Sequence, residues 1–344
     1  MPNPTIRSIA KVASVSDCTV SRALRGDRKI SEKTRTRIQA LAQKMGYRLN
    51  PAVSSWMAHV RLTKKNVSFQ GCLALLDFHT TPQPLSSYNT PRRQIDGATR
   101  RAEELGYQIE HFPVCHGGWS PERLTQILES RSIKGALIPV SAALAKINFS
   151  FELFALGAIG HRLTSPTIHF SSNDQYATML IACEEMARLG YKRVGVILGL
   201  GTDKNVEHRF SGAYLGWQQG LPAASRLPIL FYEHALIEEK LIKWCRVHRP
   251  DGILCFNVNA PTETPRTMLE RHYRIPEDIG LADLDWTDHS DMAGMDQQHE
   301  IVGAAAVDLV VGQLHLNESG LPKTARGVFI EGNWRPGATA PPRV

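Results

Sequence analysis

From Gly71 to about residue 317, short apolar runs alternate with stretches of helical period, the order that builds parallel β/α units around a sheet buried on both faces. Strands are expected at 71–78, 107–114, 135–140 and 155–160, with helices near 92–106 and 121–132. A second series has strands at 193–199, 227–232, 252–257 and 279–285, separated by helices near 174–190, 208–220, 235–248 and 262–273. A long apolar helix at 300–317 follows. Two such groups imply two similar lobes with a cleft between them. Ligands of open parallel sheets bind beyond the carboxyl ends of strands, so the cleft collects loop residues from both lobes. Phe78, His79, Asn257 and Asp285 fall at such ends, as does the loop before Arg209.

A chain of 344 residues is too long for one average domain, and its charge is unevenly spread. Residues 1–65 hold 14 Lys and Arg against 3 Asp and Glu, while the remainder is slightly acidic, at net −4. Clustered cations are what neutralising phosphates requires, so the basic head points to nucleic acid.

The head has its own pattern. Ile6, Ile9, Ala10 and Ala13 recur at helical spacing, giving a helix at 5–13 that Ser14-Val15-Ser16 breaks. Ser16 suits the N-cap of a second helix at 17–25, whose Val20 and Leu24 pack back on the first before Gly26 ends it. A third helix starts after Ser31, carries Glu32 in its first turn and packs through Ile38, Leu41, Ala42 and Met45 before stopping at Gly46. Two short helices joined by a tight turn form a helix-turn-helix, whose second helix enters the major groove. Its early positions, Asp17, Cys18 and Arg22, then face base edges, flanked by Ser16, Thr19 and Ser21 on the phosphates. Asp17 accepts only from a cytosine amine, so the DNA sequence read should be unusual.

The run Thr5-Ile6-Arg7-Ser8-Ile9-Ala10 through Thr19-Val20-Ser21-Arg22-Ala23-Leu24, then Ile30-Ser31-Glu32-Lys33-Thr34-Arg35 and Gly46-Tyr47-Arg48-Leu49-Asn50-Pro51, resembles the head of the lactose-repressor (LacI/GalR) family. The resemblance implies an all-α helix-turn-helix head on an α/β, two-lobed sensor domain with parallel sheets, like the type I periplasmic sugar-binding proteins. It adds Thr5, Arg25, Ser31, Tyr47 and Asn50 to the DNA contacts. It also makes residues 52–60 a hinge helix in the minor groove, with Trp56 where the family usually has a Leu wedge.

In the body, His208-Arg209-Phe210-Ser211-Gly212 is similar to the family's Arg-x-x-Gly element, which assigns Arg209 to fork onto ligand oxygens. The same resemblance assigns Asp285, Asn257 and Gln297 to the ligand, beside Phe78 and His79. Three positions depart from it: Gly160 stands where many relatives carry an Asp, Ser172 replaces the Asp of an Asp-Asn pair, and Trp286 replaces a second Asp. A pocket that has lost acids and gained an aromatic face does not by itself point to a common monosaccharide.

The expected domains are a DNA-binding head at 1–49, a hinge and linker at 50–66, and an effector-binding and dimerisation domain at 67–344. Its first lobe spans about 67–168 plus 300–327 and its second about 169–299 plus 328–344. The head covers few base pairs, so a homodimer reading a palindromic double-stranded operator is implied. Its partners are then that DNA and a sugar-like effector, with no membrane.

Gly199-Leu200-Gly201 lacks the third glycine of a dinucleotide fingerprint and reads as a turn. His111, Cys115 and His116, and the group Asp283, Asp285, Asp288, His289 and Asp291, read as solvated loops rather than metal ligands. No nucleophile elbow or phosphate-binding loop occurs. A regulator without cofactor or catalytic residues is expected, and the alternatives are a sugar-binding protein or a doubly wound enzyme acting on a cleft-bound molecule. Six scattered cysteines and the lack of a membrane-length apolar run or signal core point to a cytoplasmic protein.

Overall fold

The computed structural model describes residues 6–24, 30–45, 69–81, 83–140, 150–161, 163, 165–256, 263–288 and 291–343. The head consists of α1 (Ile6–Ala13), α2 (Asp17–Leu24) and α3 (Glu32–Lys44). Ser14 turns the chain with φ of 53°, and Ser16 Oγ then accepts from the Thr19 amide at 3.1 Å, capping α2. Ser31 caps α3 in the same way through Thr34. Ile9, Ala10, Ala13, Val20, Ala23, Ile38 and Ala42 form one buried cluster, with Leu24, Leu41 and Met45 at its edge. The third helix also closes the other two: Arg37 donates to the Ala13 carbonyl at 3.1 Å and Gln39 to that of Ala23 at 3.2 Å. Carbonyls that a helix end leaves without partners are thereby satisfied.

The first lobe is built on β1 (Gly71–Asp77), β2 (Tyr107–Pro113), β3 (Gly135–Pro139), β4 (Ala155–Gly160), β5 (His169–Asn173) and β11 (Gly327–Ile330). All are parallel, in the order β11-β5-β4-β3-β1-β2. The second lobe has β6 (Val194–Gly199), β7 (Leu230–Tyr232), β8 (Gly252–Cys255), β9 (Gly280–Asp283), β10 (Ala293–Asp296) and β12 (Asn333–Arg335). Its order, β12-β10-β9-β8-β6-β7, repeats that of the first, with β12 antiparallel. The period of two along each strand divides the core between the sheet faces. Leu73 and Leu75 pack under α4 (Asn89–Glu104) and α11 (His299–Leu316), whereas Ala74 and Leu76 pack under α5 (Pro121–Ser130). In the second lobe α6 (Gln175–Arg188) and α8 (Arg209–Gln218) cover one face, and α9 (Glu238–His248) and α10 (Pro265–Glu270) the other.

The chain crosses between lobes after Asn173, after Asp296 and between Ile330 and Asn333. The expected lobe boundaries near 168 and 327 therefore move, because β5 and β11 pair with each other inside the first sheet. The strand His169-Phe170-Ser171-Ser172-Asn173 shows no apolar run, so periodicity misses it. Its polar groups are paired internally: Ser172 Oγ donates to the Gly160 carbonyl at 2.8 Å and Asn173 Nδ2 to that of Ile330 at 3.0 Å. Strands β10 and β12 are too short for a periodic signal. Strand β7 starts at Leu230 rather than near 227, past Pro228, which has no amide to donate. Gly199-Leu200-Gly201 is not a simple turn, since Gly199 caps the short helix α7 (Leu200–Asn205).

The helices α4 and α11 cross at glycines. A Cβ on Gly97 would lie 2.0 Å from the Glu300 carbonyl oxygen, and one on Gly303 would lie 1.9 Å from that of Gln94. Backbone approach this close is open only to glycine. Among the described residues no helix is long and apolar enough to cross a membrane.

Candidate functional site

Two places carry chemistry. On the head, α2 exposes Arg22 and keeps Val20 and Ala23 in the core, so its solvent face and its capped N-terminus lie on the same side as the Ser16 and Thr19 hydroxyls. Asp17, Cys18 and Ser21 lie in α2, but their side chains, like all of Thr5, Arg25, Tyr47, Asn50 and Trp56, fall outside the described residues. Ser31, proposed as a DNA contact, caps α3 and bonds Thr34.

On the body, a small cleft opens between the lobes. His161, Phe170, Ser172 and Phe329 line it from the first lobe; Gln175, Asn205, Val206, Glu207 and Arg209 line it from the second. Arg209 is the first residue of α8, and the two residues before it are left-handed, with φ of 56° at Glu207 and 59° at His208. Consecutive non-glycine residues in this region store strain and persist only where neighbours hold them.

The holding group is Asp203, whose carboxylate is wholly buried. It accepts from the Ser211 amide at 3.0 Å and from Ser211 Oγ at 2.7 Å, and it meets His208 Nδ1 at 2.9 Å. The guanidinium of Arg209 thereby reaches across the cleft, 4.4 Å from the ring centre of Phe329 and 3.8 Å from Asp174. Phe329 in turn meets Phe170 edge to face at 5.5 Å. A cation over an aromatic face next to open polar space suits a ligand with adjacent oxygens and an apolar side.

Beside the cleft, the lobes are joined by buried polar contacts. Thr90 of α4 donates to Asp285 at 2.9 Å, and His299 Nε2 meets the other carboxylate oxygen at 2.6 Å. Burial pushes the Asp285 carboxyl up, but His299, Thr90 and the charge of Arg93 outweigh it and hold the group below the ordinary carboxylate range. Arg93 bonds Glu300 at 2.8 Å and Asp296 at 3.2 Å, and Arg335 holds the second oxygen of Asp296 at 2.9 Å.

Residues 5–50 match the family described as bacterial regulatory proteins, lacI family. The head thus carries the pattern of that family. The HTH-type transcriptional regulator DegA of Bacillus subtilis (strain 168) is 23% identical over 301 residues, covering 84% of this chain and 83% of DegA. The lac repressor dimer bound to operator and the anti-inducer ONPF is similar with a TM-score of 0.55 and 16% identity, over 98% of this chain and 99% of that one. The CelR–cellobiose complex gives a TM-score of 0.52 and 16% identity over the same shares. These two likenesses are of fold, and they extend over nearly the whole chain.

Within the body the expected effector residues separate. Arg209 lines the cleft, and Ser172 and the loop before Arg209 join it. Phe78 is a core residue, buried with Phe112, Leu124 and Ile138, because its ring completes the face under α5. His79 is buried with its ring on Thr81 Oγ1 at 3.0 Å and edge-on to Tyr88. Gln297 donates to the Leu284 carbonyl at 2.7 Å and acts as a strut at the second crossing. Asp285 accepts from Thr90 and meets His299 where the lobes come together, and Asn257 falls outside the described residues. Gly160 has φ of 103°, a backbone conformation that favours glycine.

Sequence reasoning missed His161, Phe170, Phe329 and Asp203. Phe170 and Phe329 sit on strands that carry too little apolar pattern to be seen, and nothing in Gly201-Thr202-Asp203-Lys204 marks a buried acid. The suspected metal groups have other partners: His111 meets Asp77 at 3.2 Å, His116 meets the Thr81 carbonyl, Cys115 meets that of Phe78, and Asp291 pairs with Arg266.

Proposed function

We propose that the protein is a cytoplasmic repressor that binds a palindromic operator as a homodimer and changes its DNA affinity when a small polar molecule, a carbohydrate or a related metabolite, enters the interlobe cleft. The observation that carries this reading is one chain joining a helix-turn-helix head to a cleft lined from both lobes. A ligand that touches both lobes favours one arrangement of them over another, and only such a preference can alter the spacing of two heads. That the lac repressor was solved on operator and CelR with cellobiose supports the same division of labour.

In this reading α2 lies in the major groove, Arg22 meets a guanine edge, and the Ser16 and Thr19 hydroxyls meet phosphates. Asp17, Cys18 and Ser21 belong to the same helix, and Thr5, Arg25, Ser31, Tyr47, Asn50 and Trp56 complete the contact set. Replacing Arg22 by alanine is expected to cost about 1–3 kcal/mol of operator affinity and to relax preference at one base pair per half-site. Fluorescence anisotropy on a set of singly substituted duplexes checks it; equal weakening on every duplex makes Arg22 a phosphate contact instead.

The experiment for the whole reading is selection of bound duplexes from a random pool by the full-length protein, repeated with a panel of metabolites. An enriched two-fold-symmetric site supports the head, and a ligand-dependent change in its recovery supports the cleft.

A further inference from the structure

The polar contacts that join the lobes are of two kinds. Asp296 is the last residue before the second crossing, so its pair with Arg93 belongs to the hinge. Asp285 is placed differently. It follows β9 of the second lobe, and the Asp283 carboxylate fixes its backbone by accepting from the Asp285 amide at 3.0 Å. Both oxygens of its own carboxylate are then met by side chains of the first lobe, Oδ2 by the Thr90 hydroxyl at 2.9 Å and Oδ1 by His299 Nε2 at 2.6 Å. Thr90 lies in the first turn of α4 and His299 opens α11, two helices packed together in the first lobe.

We propose that the Asp285 carboxylate is a latch: through Thr90 and His299 it holds the two lobes closed, so that the chain's own side chains keep the closed arrangement and set how often the lobes part.

A hydrogen bond to an ionised acceptor is about twice as strong as one between neutral groups, which makes a carboxylate the effective member of such a contact. Burial raises the Asp285 carboxyl, but His299 and Thr90 hold it below its ordinary range, so the ionised form is the one present near pH 7. The same seam carries an opposing cost. Asn89 Nδ2, on the residue before Thr90, and His299 Nδ1, on the ring that meets Asp285, are buried without a hydrogen-bond partner. Unpaired buried nitrogens weigh against the closed arrangement, and the contacts of Asp285 tip the balance towards it. Opposed contributions at one seam keep two arrangements within reach of each other. The contact of Arg209 with Phe329 also joins the lobes, at the cleft wall, and shares no residue with the latch. Parting of the lobes is therefore readable at a distance from Thr90.

The test varies Thr90 alone in the full-length protein, without added ligand, and reads side-chain oxidation by hydroxyl-radical footprinting and mass spectrometry. Thr90→Ser keeps the donor, Thr90→Val removes it at nearly the same volume, and Thr90→Asp sets a second carboxylate against Asp285. Phe170 and His299 are 7% and 2% exposed, and both should stay protected in wild type and Thr90→Ser. Loss of a bond to a charged group shifts an equilibrium by about tenfold, so oxidation of both should rise about twofold or more in Thr90→Val and further in Thr90→Asp. Phe170 is the deciding reporter, because it stands on β5 at the cleft wall and not at the latch. Equal oxidation of Phe170 in wild type and Thr90→Val overturns the proposal, as does a rise confined to His299. A Thr90→Ser protein that oxidises like Thr90→Val overturns it too, since the donor is then not what holds the lobes. Should Thr90→Asp not fold, Thr90→Val carries the comparison. Any effect of the latch on DNA rests on the reading above, and affinity for the selected duplex, measured on the same proteins, keeps the two apart. Exposure of Phe170 with duplex affinity unchanged supports the latch and removes the coupling of cleft to head; a protected Phe170 in every variant, with the duplex still bound, removes the latch and leaves the DNA-binding role.

Discussion

Replacing Arg93 by methionine should destabilise the body by about 3 kcal/mol, among the largest effects of any single change outside the sheets. The Arg93 side chain is 6% exposed and serves two carboxylates from different lobes, Glu300 at the start of α11 and Asp296 at the end of β10. Methionine keeps much of the volume but leaves Asp296 and Glu300 buried or half-buried without their cation. Arg335 still meets Asp296, which places the cost at the low end of the range for breaking a buried pair.

The pH dependence has a definite sign. Burial raises both carboxyls, but Arg335 and Arg93 outweigh it at Asp296, and Arg93 outweighs it at Glu300, so both titrate below their ordinary values. Groups with a depressed folded-state pKa contribute stability that is fully present above the unfolded value near 4 and is lost as pH falls through the lower folded value. Wild type should therefore lose more stability than Arg93→Met between about pH 5 and pH 3, measured by urea unfolding at each pH. Parallel pH profiles for the two proteins exclude the network described for Arg93.

The second large effect is at the helix crossing. Gly303→Ala places a methyl 1.9 Å from the Gln94 carbonyl oxygen, and no side-chain rotation relieves a backbone clash. The helices must separate, and a loss of about 3 kcal/mol is expected, at the upper end for overpacking. Gly312 on the same helix has open space at its Cβ position, so Gly312→Ala should instead gain about 0.5–1 kcal/mol from helix propensity. Opposite signs for two identical substitutions, read as thermal midpoints, distinguish the crossing from a general intolerance of α11. The crossing matters for function because the same two helices present Thr90, Arg93, His299 and Glu300 to the interlobe contacts.

What was legible in the sequence follows how local the determining physics is. The head could be read almost residue by residue, since caps such as Ser16 and Ser31 and the spacing of Ile9, Val20 and Ile38 act within one or two turns. The buried strands β1, β3, β6 and β8 announced themselves as apolar runs. Strand β5 did not, because its stability comes from hydrogen bonds to Gly160 and Ile330 that only the folded sheet supplies. The cleft was legible at Arg209 alone among its charged groups. Asp203, which fixes the loop of Arg209, and Thr90, which engages Asp285 from 195 positions away, depend on contacts that no local pattern encodes.

The central claim is that one chain reads DNA with its head and reports the state of its cleft through it. Selection of bound duplexes by the full-length protein, with and without each member of the metabolite panel, tests it most directly. The account predicts one enriched two-fold-symmetric site whose recovery changes with at least one compound of the panel. No enriched duplex under any condition, or an enriched site indifferent to every ligand that stabilises the body, contradicts it.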